Sequence, residues 1–344
     1  MKRLIVLLLT ISIFAVNVAA YGERGHRMVG AIADNRLAKN KPVRDEVRKL
    51  LDGLTLAQVA SLPDSIKDWD DCKEPPKNHP VVNKPRINKE LRAFHDANPC
   101  DGTPSHGEFH YVNIPIIGNE LYADGKIGRR EFDIVKMILF CIRVLRGQVP
   151  ETNDRAITKA VAVILLTHYV GDIHQPLHVG AQFFNADGNP FRPTPANRGF
   201  EDQGGNKLDL FTFWKKKLTP AGNLHSYWDT RTVENAFGSM IDANVAQSLA
   251  NKTPPNWKLN GDAETWSEQM ANRMMPVSRE AHGRLNFNGV TTKPGKRDIL
   301  GGRAEEKKKT PGGEFYAIWA ASTVKEQIHV GGWRLAALLE QILQ

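Results

Sequence analysis

The chain has 344 residues, 41% hydrophobic and 24% charged, which is the composition of an ordinary globular protein with length for one large domain or two small ones. Beyond residue 20 no stretch is long and apolar enough to cross a bilayer, so a multi-span membrane protein is excluded. The formal net charge is +8, or +6 without Lys2 and Arg3; this suits a polyanionic partner, nucleic acid or an anionic lipid surface, without choosing between them.

The chain opens with Met1-Lys2-Arg3, an apolar run over residues 4–16 and the small residues Val18-Ala19-Ala20. That is the pattern of a secretory signal, expected to be cleaved after Ala20. Residues 1–20 are then the signal peptide and residues 21–344 the mature domain, secreted or periplasmic, with no transmembrane segment left. Export permits disulfides. Of the three cysteines, Cys72 and Cys100 lie in polar sequence and could pair; Cys141 lies in an apolar run and reads as a buried thiol. No CxxC pair suggests a thiolate zinc site.

Apolar residues recur at helical spacing over residues 26–37, 43–51, 131–145, 157–172, 234–249, 263–274 and 323–343. Strand-like alternation is confined to 109–115 and 207–211. Polar segments at 73–107, 180–205 and 285–313 read as loops, because the periodic segments between them are too few to form separate cores. The expected fold is therefore one all-α domain with long irregular loops.

The chemistry is concentrated in histidine and aspartate. His168 and Asp172 stand four apart, on one face of the 157–172 helix, beneath a strongly apolar stretch. Burying a lone carboxylate there costs several kcal/mol, and no Lys or Arg lies within a turn to offset it. The pair alone reads equally as a hydrogen-bonded core pair. Pro176 then ends the helix and lets His178 turn back toward Asp172. A second pair, His225 and Asp229, repeats the spacing of four. Two such pairs with His178 favour a multi-metal site, and imidazole with carboxylate suits zinc. His110 on the 109–115 segment, Asp64 at the end of a helical stretch and His26 near the mature N-terminus are further candidates, each weak alone.

These residues, in this order, resemble the S-one/P-one (S1/P1) type nucleases. The matching motifs are Tyr21-Gly22-Glu23-Arg24-Gly25-His26, Ala60-Ser61-Leu62-Pro63-Asp64, His110-Tyr111-Val112, the block from His168 to His178, Gly204-Gly205-Asn206, the block from Asn223 to Thr230, and Gly331-Gly332-Trp333-Arg334. The resemblance runs from Tyr21 to the C-terminus apart from the three loops. It implies a helical fold of the phospholipase C/nuclease type and three zinc ions. One ion would take Asp64, His110, His168 and Asp172; a second His178, His225 and Asp229; the third His26, Asp172 and the amino and carbonyl groups of Tyr21. Asp172 would bridge the first and third. The resemblance implies an endonuclease that cuts single-stranded DNA or RNA to 5′-phosphate products and also acts on 3′-nucleotides. Asp64, Lys67 and Asp172 would serve catalysis; Lys67, Tyr111 and Asn206 would meet substrate. Tyr111 is the candidate stacking platform for an unstacked base, and reads equally as core packing.

The sequence departs from the family at several points. Lys67 stands where the family commonly has Arg, which keeps the charge and loses the bidentate fork. Asn113 replaces an aspartate that contacts the base. Two rival readings remain: a zinc-dependent phospholipase C, which shares the fold, and a non-catalytic zinc-binding protein on the same scaffold. Nothing in the sequence calls for a stable protein partner.

Overall fold

The computed structural model describes residues 21–66, 79–99, 102, 104–238, 243–308 and 313–344. The signal expected over 1–20, Lys67, and the Cys72–Cys100 pairing lie outside the described residues. The chain begins with α1 (Gly22–Leu37), α2 (Lys41–Leu50) and the short helices α3 (Leu56–Val59) and α4 (Leu62–Ile66). Next come α5 (Pro85–Ala97), a two-residue strand β1 (Ile114–Pro115), α6 (Ile134–Leu145) and α7 (Lys159–Asp172). Short strands β2 (Gly180–Ala181), β3 (Phe183–Phe184) and β4 (Phe200–Glu201) lead to the hairpin of β5 (Leu208–Trp214) and β6 (Lys217–Asn223). The helices α8 (Leu224–Ser226), α9 (Thr232–Phe237), α10 (Ala243–Asn251) and α11 (Trp266–Gly283) follow. The strands β7 (Leu285–Thr291) and β8 (Gly301–Glu306) precede the last helix, α12 (Tyr316–Ile342). The architecture is mostly helical, as the periodicity predicts, and no described helix is long and apolar enough to cross a membrane.

The centre of the fold is α7. Thr158 caps it, its hydroxyl accepting from the Val161 amide at 3.2 Å. Every residue from Ala160 to Asp172 is buried. A helix apolar on all sides has to be enclosed, and α1, α4, α5, α6 and α12 pack around it. The end of this enclosed helix carries His168 and Asp172, so both groups are delivered to the interior.

Gly332 explains part of the closing Gly-Gly-Trp-Arg motif. A Cβ on Gly332 would lie 2.6 Å from the Ile32 Cβ of α1. Helix propensity alone favours Gly332→Ala by about 1 kcal/mol. Overpacking costs about 1–3 kcal/mol and should win. A lowered melting temperature for that variant is expected, and a raised one would show that α1 and α12 can part.

Several expected elements differ. The 234–249 segment is two helices, since α9 stops at Gly238, whose φ of 78° is left-handed. The 263–274 helix continues through Pro276 to Gly283, because Met275, Ser278, Ala281 and His282 are buried against the core and packing outweighs one lost backbone bond. The 109–115 strand is a 3₁₀ turn (His106–His110) followed by β1, which pairs in parallel with β2. The loop expected at 73–107 contains α5, and that at 285–313 contains β7 and β8. These join the hairpin in a four-stranded sheet of order β6-β5-β8-β7.

Candidate metal centre

The candidate ligands reach one region from several elements. His168 and Asp172 share a face of α7, with Nε2 and Oδ2 3.2 Å apart. The other oxygen, Oδ1, lies 3.2 Å from His26 Nε2 of α1. The His26 ring stacks on His168 at 3.8 Å between centroids. A Cβ on Gly171 would come within 2.6 Å of that ring, so the glycine before Asp172 is what admits α1. His110, at the end of its 3₁₀ turn, places Nδ1 3.0 Å from Asp172 Oδ2. Asp64 of α4 lies 3.6 Å from His168 Nε2 and 3.9 Å from His110 Nδ1. After Pro176 the chain does turn back, and His178 Nδ1 sits 4.0 Å from Asp172 Oδ1. His225 belongs to α8 and Asp229 to the wide π-type turn Tyr227–Arg231, with Nε2 and Oδ2 3.4 Å apart. Such turns widen the helix by one residue and recur at functional sites. The backbone N–H of Tyr21 donates to Asp229 Oδ1 at 3.2 Å.

The ligand atoms fall into three groups: Asp64 with His110 and His168, His26 with His168 and Asp172, and His178 with His225 and Asp229. The two oxygens of Asp172 divide between groups, Oδ2 toward His110 and His168, Oδ1 toward His26 and His178. Three of the rings are aimed by backbone. Nδ1–H of His168 donates to Ala60 O at 2.8 Å, that of His178 to His110 O at 2.7 Å, and that of His225 to Gly204 O at 2.7 Å. A carbonyl only accepts, so the proton sits on Nδ1 and the Nε2 lone pair faces the cluster.

The electrostatics call for cations. His26 has neither nitrogen in hydrogen-bond geometry, and Asp172 Oδ1, His178 Nε2 and Asp229 Oδ2 also lack a hydrogen-bond partner, although all are buried. Buried polar atoms are rarely left so. Burial pushes the Asp229 carboxyl up to about 7, against the pull of His178 and Gln175. Burial opposes charge on Asp172 too, but His168, His178 and His26 outweigh it and hold that carboxyl well below its usual range. Burial likewise opposes charge on His168, yet Asp172 and Asp64 leave it at about 10. Without cations the cluster therefore holds protons, and divalent ions would displace them. Imidazole nitrogen mixed with carboxylate oxygen in small tight groups is a donor set that fits zinc.

The comparisons agree with this geometry. Residues 21–344 match the family described as S1/P1 Nuclease. The chain belongs to the S1/P1 nuclease family. Endonuclease 4 of Arabidopsis thaliana is 23% identical over 94% of this chain and 89% of its own length. Endonuclease 5 of the same plant is 24% identical over 99% of this chain and 97% of its own. Endonuclease 1 is 31% identical, over a stretch that spans 34% of this chain and 32% of that protein.

Within this S1/P1 site some groups were not singled out by the sequence. The His106 ring is buried between Pro63 O at 2.9 Å and His110 Nε2 at 3.3 Å, so it holds α4 and the 3₁₀ turn together. Gln175 donates to Asp229 Oδ1 at 2.8 Å. His174 does not face the metal groups. Its Nδ1–H donates to Val170 O and its Nε2 accepts from Arg334 at 2.8 Å, with burial and the Arg334 charge lowering its pKa to about 3. That contact ties the closing motif of α12 to the central block. Of the expected substrate contacts, Tyr111 is partly buried with the Arg130 guanidinium 5.3 Å over its ring. Asn206 turns its amide back to Gln203 O, within the loop whose Gly204 aims His225.

His106 gives a test of such supporting contacts. His106→Leu should weaken zinc retention about 10- to 100-fold, the usual effect of losing a group that orients a ligand. A competition titration against a chromogenic chelator measures it, and unchanged affinity would leave His106 as core packing.

Proposed function

We propose that this chain is an exported, zinc-dependent endonuclease that hydrolyses phosphodiester bonds of single-stranded DNA or RNA to 5′-phosphate products, with 3′-nucleotidase activity as its second reaction. The observation that carries the reading is the presence of three His/Asp ligand groups, one of them holding Asp172, whose Oδ1 is buried without a hydrogen-bond partner, in a chain of this family. The ligand residues are Tyr21, His26, Asp64, His110, His168, Asp172, His178, His225 and Asp229, for three zinc ions.

Bound zinc supplies acidified water at neutral pH and stabilises charge on phosphoryl oxygens. The chain's own residues do the rest. Asp172 spaces the groups by giving one oxygen to each side. Gln175 and the Tyr21 nitrogen hold Asp229 Oδ1 in place. Tyr111, next in sequence to His110, offers its ring to an unstacked base, and Lys67 supplies a cation for the scissile phosphate. Export is part of the reading: cleavage after Ala20 turns the Tyr21 nitrogen from an amide into an amine.

The test is an assay of purified mature protein on single-stranded DNA, RNA and phosphatidylcholine, beside a zinc count. Nucleic-acid cleavage that is abolished by chelation and restored by zinc is expected. Lipid cleavage alone would transfer the chain to the phospholipase reading, and fewer than two zincs per active chain would sink the three-ion site.

A further inference from the structure

A second feature of the fold is left unused by the ligand set. Residues 120–127 and 192–198 form the two walls of a cleft of about 640 Å³. Its acids are engaged from within the wall. Glu120 accepts from Arg129 at 2.6 Å, and Asp124 caps the Leu121 amide at 2.8 Å. Arg129 also donates to the Tyr122, Ile127 and Leu121 carbonyls, which stiffens this wall. The cations that line the cleft are different. Lys126, Arg192 and Arg198 are exposed and are absent from the ion pairs and hydrogen-bonded side chains of the described residues. Arg192 reaches across the gap, its Nε 3.3 Å from where a Cβ on Gly118 would stand.

The same walls meet again nearer the metals. Arg130, four residues after Lys126, lies 3.6 Å from Glu201, three residues after Arg198. Its guanidinium lies 5.3 Å from the centre of the Tyr111 ring. The Asn113 amide donates to Gly128 O at 3.0 Å, which joins the Lys126–Arg130 turn to the segment that carries His110 and Tyr111. Both walls of the cleft are therefore tied, through Arg130 and Gly128, to the segment that carries Tyr111.

We propose that this cleft is an exosite that holds phosphates of a single nucleic-acid strand a few nucleotides from the bond being cut. The inference rests on the nuclease reading. Three concave cations without carboxylate partners complement a flexible polyanion, and Ile127, Pro193 and Pro195 offer apolar wall for its bases. A bilayer is too flat to enter such a cleft.

The test is the triple variant Lys126→Glu, Arg192→Glu and Arg198→Glu, whose exposed side chains leave the fold undisturbed. Its zinc-loaded form is compared with the parent on a dinucleotide and on a single strand of about 20 nucleotides, each at several salt concentrations. On the long strand KM should rise about tenfold or more, with kcat unchanged, and the slope of log KM against log salt should fall by about 2, roughly 0.7 for each of three lost phosphate contacts. On the dinucleotide nothing should change. An unaltered KM and salt slope on the long strand overturns the exosite, and so does an equal loss on both substrates. A parent that cleaves neither substrate instead sinks the nuclease reading; binding of the same strand to parent and variant then still decides the cleft.

Discussion

Asp172→Asn should yield a folded protein with little zinc and activity at least about a thousandfold lower. One carboxylate oxygen lies 3.0 Å from His110 Nδ1 and 3.2 Å from His168 Nε2, and the other lies 3.2 Å from His26 Nε2. An amide keeps the shape but replaces one anionic oxygen with an NH₂ that only donates, aimed at ring nitrogens that a metal needs as lone pairs. It also removes the charge that does most to hold the His168 imidazole at about 10. Whichever oxygen is replaced, one ligand group loses its atom and the other loses the charge. Metal analysis and single-turnover cleavage of single-stranded DNA read the result; full activity with full zinc would falsify the bridging role.

A chain that retains even one residue ahead of Tyr21 should also be impaired, by at least about tenfold in retention of one zinc. Tyr21 is fully buried, with its nitrogen 3.2 Å from Asp229 Oδ1 and its hydroxyl donating to His174 O. Its φ of 42° is left-handed, which a bulky side chain adopts only when its surroundings fix it. An amide nitrogen in this position has a proton to give and no lone pair for a metal. A free amine has the lone pair. The comparison is between mature protein starting at Tyr21 and a version with one added alanine, each with N-terminal sequencing, zinc content and activity. Equal zinc and equal activity would remove the amine from the ligand set.

The sequence displayed the candidate ligands better than their supports, and the reasons are physical. His168 and Asp172 were readable because a helix of known pitch fixes which residues share a face. Pro176 was readable as a break that frees His178. His225 and Asp229 meet at 3.4 Å although a π-type turn, not a regular helix, lies between them, so the right pairing came from a slightly wrong local geometry. His106 and Gln175 carry no such signal. Their partners, Pro63 O and Asp229 Oδ1, are far along the chain, and no local period links them. The strand β8 carries no apolar alternation, and that of β7 is confined to Leu285-Asn286-Phe287-Asn288 before Gly289 interrupts it; β7 is held by pairing with β8, and β8 with β5. The helix α5 begins with proline and is polar along much of its surface, so its buried Ile87, Leu91 and Phe94 were hidden in a segment that looked like loop.

The carbonyls of Ala60, His110 and Gly204 have a consequence for how this centre can be lost. Every residue type has that oxygen, so no exchange of side chain at those three positions deletes the acceptor that orients a ring. The aim of His168, His178 and His225 belongs to the path of the chain. What misdirects such rings is a displaced backbone: one residue gained or dropped in the segments leading to position 60 or 204, or a side chain at Gly204, whose Cβ would lie 2.2 Å from Leu177 O, moves the acceptor while every ligand residue remains in the sequence. An inactive relative with a complete set of ligands is best searched for insertions and deletions in those segments and for a side chain at the position of Gly204.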